Sequence, residues 1–214
     1  MSRLWIVSAG GHGAVVAEAA VAARQWDAIA FVDDRHPALG PVLGHPVVGT
    51  TADLLRQVQA SPDGPVQVVI ALGDNTRRLQ LSESLRAAGA TLATVIHPFT
   101  AISPSASIGE GSVVLAGATV NARARIGLAA IVNTRASVDH DCTVGDGVHL
   151  CPGSTLAGTV TVRDRVWLGI GACAIQGVTI GEGAVVGAGS AVIRDVRAGA
   201  TVAGCPAKEI KHVV

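Results

Sequence analysis

The chain has no tyrosine, two phenylalanines and three tryptophans in 214 residues. A core cannot be assembled from large rings. The abundance of Val, Ile, Leu and Ala, with 26 glycines, suits narrow and regularly stacked structure instead. Neither sign of charge is in excess, with 16 Lys and Arg against 16 Asp and Glu. That balance leaves no electrostatic footprint for nucleic acid or an anionic membrane surface. No run approaches the roughly 18 uncharged apolar residues of a membrane span. The opening MSRLWIVSAGG lacks the apolar stretch and cleavage site of a secretory signal and reads straight into a strand, so a cytoplasmic protein is expected. The four cysteines (Cys142, Cys151, Cys173 and Cys205) show no CxxC pairing. They read as small buried hydrophobes in a reducing compartment, not as disulfides or a metal set.

What is present is a repeat. From Ile102, steps of six land on Ile108, Val114, Val120, Ile126, Val132, Val138, Val144, Leu150, Leu156, Val162, Leu168, Ala174, Ile180, Val186 and Val192. Only Ala174 departs from Val, Ile or Leu. A hexapeptide supplies one short strand and one corner, and three of them close a triangular coil of 18 residues with the aliphatic side chain pointing inwards. Coils should stack about 4.8 Å apart, the ordinary strand spacing. The residue after the aliphatic one is often Gly, as at Gly109, Gly127, Gly145, Gly169, Gly181 and Gly187. We expect these glycines to relieve the corners. The beat never breaks, so no long loop interrupts the coils. Residues 99–214 are therefore expected to form a parallel β-helix with a C-terminal tail.

Residues 1–98 carry a different rhythm. The apolar run LWIVSA (4–9) ends in Gly10-Gly11-His12-Gly13, and the Ala/Val-rich helix AVVAEAAVAARQ follows. Strand, glycine turn and helix aim backbone N–H groups at an anion, typically a phosphate. A second strand, AIAFVDD, ends in Asp33-Asp34, placed to accept hydrogen bonds from a ribose or base. A third, VQVVIALG, ends at Gly73 before the helix NTRRLQLSESLRAAG, with Asp74 or Asn75 as its N-cap. A fourth, TLATVIH, leads to His97-Pro98. The pattern predicts a small Rossmann-like parallel α/β sheet with binding loops at its C-terminal edge. It is too short for a full dinucleotide domain, and a mononucleotide or nucleotide sugar fits better.

One ionisable cluster interrupts the prism's bland surface: Val138-Asp139-His140-Asp141-Cys142-Thr143. His140 lies two residues past an inward Val and should point outwards. An imidazole is a natural general base near neutral pH, and Asp139 or Asp141 could accept its hydrogen bond and raise its basicity. His149 lies half a coil on and should point away from His140 within one chain. The two could meet only between prisms packed side by side, and a trimer would create three equivalent clefts. By itself the pattern also admits a non-catalytic scaffold. A zinc prism enzyme needs three converging histidines, and the repeat offers two, so no metal is expected.

The segments GGHG, VDD, ALGDN, IHP, VDHDCTVGDGVHL and GCPAK together resemble the bacterial sialic-acid O-acetyltransferase and nucleotide-amino-sugar N-acetyltransferase family. That family includes bacillosamine and perosamine acetyltransferases, hexapeptide-repeat enzymes of surface-glycan biosynthesis. The resemblance implies a left-handed coil and acetyl-CoA as cosubstrate. It implies a homotrimer with active sites between subunits, and a nucleotide-linked amino sugar as acceptor. His140 would be the general base, tuned by Asp141, and His149 would contact acetyl-CoA near the thioester. CoA would run past Gly158, Ile170 and Ala188 towards Pro206 and Lys208. Gly10, Gly11, His12, Asp33, Asp34 and Gly73 would hold the nucleotide sugar. N-acetylation of a sugar C4 amine is the leading expectation, and O-acetylation of a sialic-acid-like sugar its nearest rival.

Overall fold

The computed structural model describes residues 2–60 and 66–210, which divide into two compact units, 1–98 and 99–214. In the first, β1 (Arg3–Val7), β2 (Ala28–Val32), β3 (Gln67–Ile70) and β4 (Thr91–Leu92) form one parallel sheet in the order β2-β1-β3-β4. Leu4, Ile6, Val7, Phe31, Val68, Val69 and Ile70 are all buried. The strands therefore read as unbroken apolar runs without alternation, as strands covered on both faces do. Three helices accompany them: α1 (Gly11–Ala23), α2 (Thr51–Ala60) and α3 (Asn75–Ala87).

Two elements differ from the sequence reading. The segment 91–97 is not one strand. Only Thr91–Leu92 pairs with β3, and Val95–Ile96 forms a separate strand whose Ile96 already lies on the six-residue beat. Helix α2 was not anticipated. It opens on a reciprocal cap, in which Thr50 N–H donates to Asp53 Oδ2 at 2.8 Å and Asp53 N–H to Thr50 Oγ1 at 3.2 Å. This is a capping box with Asp in the place of the usual Glu.

The second unit is a left-handed parallel β-helix. Sixteen two-residue strands run from Ala101–Ile102 to Ala191–Val192, each ending on an aliphatic residue of the repeat. Residues 18 apart pair in parallel, as in Val120 with Val138, Val138 with Leu156, and Val132 with Leu150. Nearly all the inward residues from Val114 to Val192 are below a few per cent exposed, so the stacked aliphatic column is the core. Each contributes about 1.5–3 kcal/mol of transfer free energy on full burial.

The glycines after the aliphatic residue do not relieve the corners. The backbone enters the left-handed region two residues later, at every sixth position from Gly111 to Gly189. Most of those positions are Gly, and the others are Arg123, Ala129, Arg135, Asp141, Thr159 and Arg165. The first set is needed for close approach instead. A Cβ on Gly169, for example, would lie 2.6 Å from Ala188 N of the next coil.

The last coil is shorter. Val186 pairs with Val202 and Ile180 bridges Val196, both 16 residues on. The chain then folds back so that Lys208–Glu209 runs antiparallel to Thr201–Ala203, and Ala191 N and O are taken by Gly204 O and Ala207 N. Among the described residues no helix is long and apolar enough to cross a membrane.

Candidate active site

In the β-helix, His140 occupies the corner between Ser137–Val138 and Thr143–Val144, with 53% of its side chain exposed. Its Nδ1 lies 2.8 Å from Asp141 Oδ2. Ionised Asp141 can only accept, so Nδ1 carries the proton and Nε2 is the basic nitrogen. Asp141 takes a left-handed backbone, φ 59°, which a short polar side chain tolerates. From one coil earlier, Arg123 grips it with Nε to Oδ1 at 2.6 Å and Nη2 to Oδ2 at 2.8 Å. The Arg123 guanidinium first, then the imidazole, hold the Asp141 carboxyl well below the usual carboxylate range.

Asp139 does not bind the imidazole, contrary to one of the two expected partners. Its Oδ1 accepts the backbone N–H of His140 at 2.7 Å and the side chain of Asn121 at 2.9 Å. The reason is local: the carboxylate of a residue entering a tight turn reaches the next main-chain N–H before it can reach the ring. Asn121 and Arg123 stand 18 residues before Asp139 and Asp141, so each acid is anchored to the coil beneath.

Gly158, one coil after His140, is the seat of the ring. A Cβ there would lie 2.6 Å from both Cε1 and Nε2 of His140. Cys142, next in sequence after Asp141, is fully buried and its Sγ donates to Ala157 O at 3.1 Å. Burial pushes its thiol up, which removes it as a nucleophile at neutral pH.

His149 lies on a different face, paired with Ile131 and Trp167. Its Nε2 meets Asn133 Nδ2 at 3.0 Å, and its ring stacks on Trp167 with centroids 6.3 Å apart. Trp167 in turn donates from Nε1 to Cys151 Sγ. Ile170 and Ala188 are exposed on the edge that follows this face, one coil apart, with Ile170 O accepting from Gly189 N. Exposed Pro206 and Lys208 follow in the tail. The fold thus gathers His140, Asp141 and Gly158 on one edge, and Ile170 and Ala188 on another. Within one chain it does not join His140 to His149.

In the first unit, a cleft of about 560 Å³ opens at the C-terminal ends of β1, β2 and β3, walled in part by Ser8, Asp33, Asp34, Arg35 and Arg77. Sheet ends of this type are where ligands of open α/β folds sit. Of the expected nucleotide-sugar residues only Asp33 and Asp34 line it; Gly10 and Gly73 lie in the neighbouring loops, and Gly11 and His12 open helix α1. The glycine that space demands is Gly13, where a Cβ would collide with Ser8 O and sit 3.3 Å from the Phe31 ring.

Asp33 is already engaged by Ala9 N at 2.9 Å and by Arg35 Nε and Nη2, each at 2.9 Å. Arg35 first among these holds its carboxyl well below the usual range. Asp34 Oδ1 accepts Thr51 N–H at 2.9 Å, tying the cleft to α2. Arg78 is fully buried, donating to Leu72 O and Asn75 Oδ1, both at 2.8 Å, and so fixes the turn containing Gly73. Burial, then the Arg78 charge, brings His12 down to about 4 and keeps it neutral. Burial likewise brings Arg78 down to about 10.

Sequence reasoning missed Arg123, Asn121, Asn133, Trp167, Arg35 and Arg78. The 18-residue period was the available signal for Arg123 and Asn121. Among the described residues, no three His, Cys, Asp or Glu side chains are grouped to hold a metal.

Comparison with known proteins supplies the family. Residues 3–85 match the model of the PglD N-terminal domain. A curated relative, UDP-N-acetylbacillosamine N-acetyltransferase of Bacillus subtilis (strain 168), is 40% identical over 120 residues, 54% of this chain and 52% of the relative. The match thus spans about half that relative's length. The acetyltransferase domain of PglB from Neisseria gonorrhoeae FA1090, solved with acetyl coenzyme A, is 44% identical, with a TM-score of 0.92 over 98% of this chain and 99% of that one. PerB from Caulobacter crescentus, solved with CoA and GDP-perosamine, is 41% identical, with a TM-score of 0.91 over 99% of this chain and 98% of that one. With similarity running the length of both units, the chain belongs to the bacillosamine and perosamine N-acetyltransferase-like family of left-handed β-helix proteins.

Proposed function

We propose that this protein transfers an acetyl group from acetyl-CoA to the C4 amine of a nucleotide-linked amino sugar, with His140 as general base. The observation that carries the reading is the His140–Asp141 pair, which leaves Nε2 as the basic nitrogen on an exposed prism edge. The amine attacks the thioester carbonyl while Nε2 takes its proton. The tetrahedral intermediate then expels the CoA thiolate, which takes up the proton held on the His140 imidazolium and leaves as free CoA, restoring the base. Holding both substrates in one cleft supplies much of the rate. Solved relatives that contain acetyl coenzyme A or CoA with GDP-perosamine support the substrate classes. The cleft beside Asp34 and Arg77 suits the nucleotide, and Gly158, Ile170, Ala188, Pro206 and Lys208 suit CoA.

The proposed assembly is a homotrimer. His140 stands on one edge, while His149, Ile170 and Ala188 stand on another face and edge, so a complete site needs two chains. A cytoplasmic location belongs to the same reading. The test is CoA release with UDP- and GDP-4-amino sugars and with free sialic acid, comparing wild type with His140→Asn. A general base contributes about 10²–10⁴ in rate. A fall of less than about tenfold in kcat/KM would remove His140 from the chemistry. Turnover of the sialic acid alone would move the reaction to a hydroxyl acceptor.

A further inference from the structure

We propose that Arg123 is a positioning residue for the base, acting through Asp141; the inference rests on His140 being that base. Two features set this pair apart from the other surface ion pairs of the prism. Arg123 engages the two carboxylate oxygens with two different nitrogens, Nε at 2.6 Å and Nη2 at 2.8 Å, whereas Arg197 meets both oxygens of Glu209 through Nη2 alone. The oxygen it shares, Oδ2, is the one that accepts His140 Nδ1. Asp141 sits in a left-handed turn with one side facing solvent, and its own side chain has little else to hold it. A planar guanidinium docked on both oxygens fixes the carboxylate plane, and with it the direction in which Nδ1–H must point.

The main chain is braced in parallel. Asn121 holds Asp139, which holds the His140 N–H. The corner Asn121-Ala122-Arg123 is therefore a template lying under Asp139-His140-Asp141, with Asp141 N–H bonded to Ala122 O at 3.0 Å between the two side-chain contacts. Ring, carboxylate and backbone are all referred to one rigid coil. The chemistry needs this because an exposed ring held only by its sequence neighbour would sample rotamers in which Nε2 leaves Gly158.

The experiment measures kcat and both KM values for Arg123→Met, Arg123→Lys, Asp141→Asn and the Arg123→Met/Asp141→Asn double variant, with acetyl-CoA and the preferred amino sugar. Arg123→Met should lose about tenfold in kcat, part of what a general base supplies, with each KM within about twofold. Lys keeps the charge but cannot grip two oxygens, so Arg123→Lys should stay at least about threefold below wild type. In the Asp141→Asn background, Arg123→Met should add less than about twofold, because its target is gone.

Wild-type kcat in the Met or Lys variant would overturn the proposal. So would a rise in KM with kcat unchanged, or the full loss repeated on top of Asp141→Asn. His140→Asn run alongside separates the two claims. If it remains active, the base assignment falls; if it is inactive while Arg123→Met is normal, only the positioning role falls.

Discussion

The two units place functional side chains by different means. In the β-helix, up to the shortened last coil, a residue's neighbour above or below is 18 positions away, so one number locates Gly158 and Asn121 against the His140 corner. In the α/β unit no such number exists. Asp33, Ala9 and Arg35 come together because two chain segments meet at a sheet edge, and the contact between Ala9 and Asp33 spans 24 residues. A periodic scaffold makes its site a matter of register. An aperiodic one makes it a matter of topology.

The largest effect that would sharpen the contrast is in the prism's core. Leu150→Ala removes a fully buried side chain from a column whose backbone cannot collapse around the hole. Large-to-small changes of this type cost about 2–5 kcal/mol, to be read by denaturant unfolding. Next comes Gly158→Ala, whose Cβ would strike the His140 ring. Misplacement of reacting groups by about an ångström costs about 10²-fold, so kcat should fall by that order while the folded content by circular dichroism holds. An active Gly158→Ala enzyme would show that the ring needs no such seat.

The smallest effect belongs to the α/β unit. His12 is held neutral down to about pH 4, whereas its unfolded counterpart protonates near 6.5. Above that value neither state binds the proton and the group has no influence. Between 6.5 and 4 only the unfolded state gains it, so stability falls as pH falls. The difference amounts to about 2 kcal/mol by pH 5, because every tenfold rise in proton concentration across that window favours the unfolded chain by about 1.4 kcal/mol. Urea unfolding from pH 7.5 to 5 should show a steeper loss for wild type than for His12→Asn, and parallel curves would remove His12 from the account.

How much was legible follows from the same contrast. The sixteen strands and their inward residues were readable because one side chain in six must fit a space of fixed width. The glycine pattern was visible but its cause was misjudged: close approach and corner strain fall at different points of the hexad, and sequence alone does not say which is which. The residues alone left Asp139 and Asp141 open as the imidazole's partner and only the family resemblance pointed to Asp141, because the left-handed backbone at 141 is announced by no residue type. Helix α2 carried a readable cap in Thr50 and Asp53, hidden by the substitution of Asp for Glu. The role of Asp33 as an anchor for Arg35 and the β1–α1 turn could not be read, since acids at strand ends serve ligands and loops alike.

The shortened final coil has one more consequence. A column of identical storeys offers, at its top, three rows of open amide and carbonyl groups, a surface on which another molecule's strands could continue the stack. Losing two residues skews the uppermost turn, the returning segment at Lys208–Glu209 takes up one of those rows in the opposite direction, and Gly204 and Ala207 take up the Ala191 groups of another. The edge that ends at Thr201–Ala203 is thereby covered by a strand of opposite direction, which breaks the parallel register of the stack at that row.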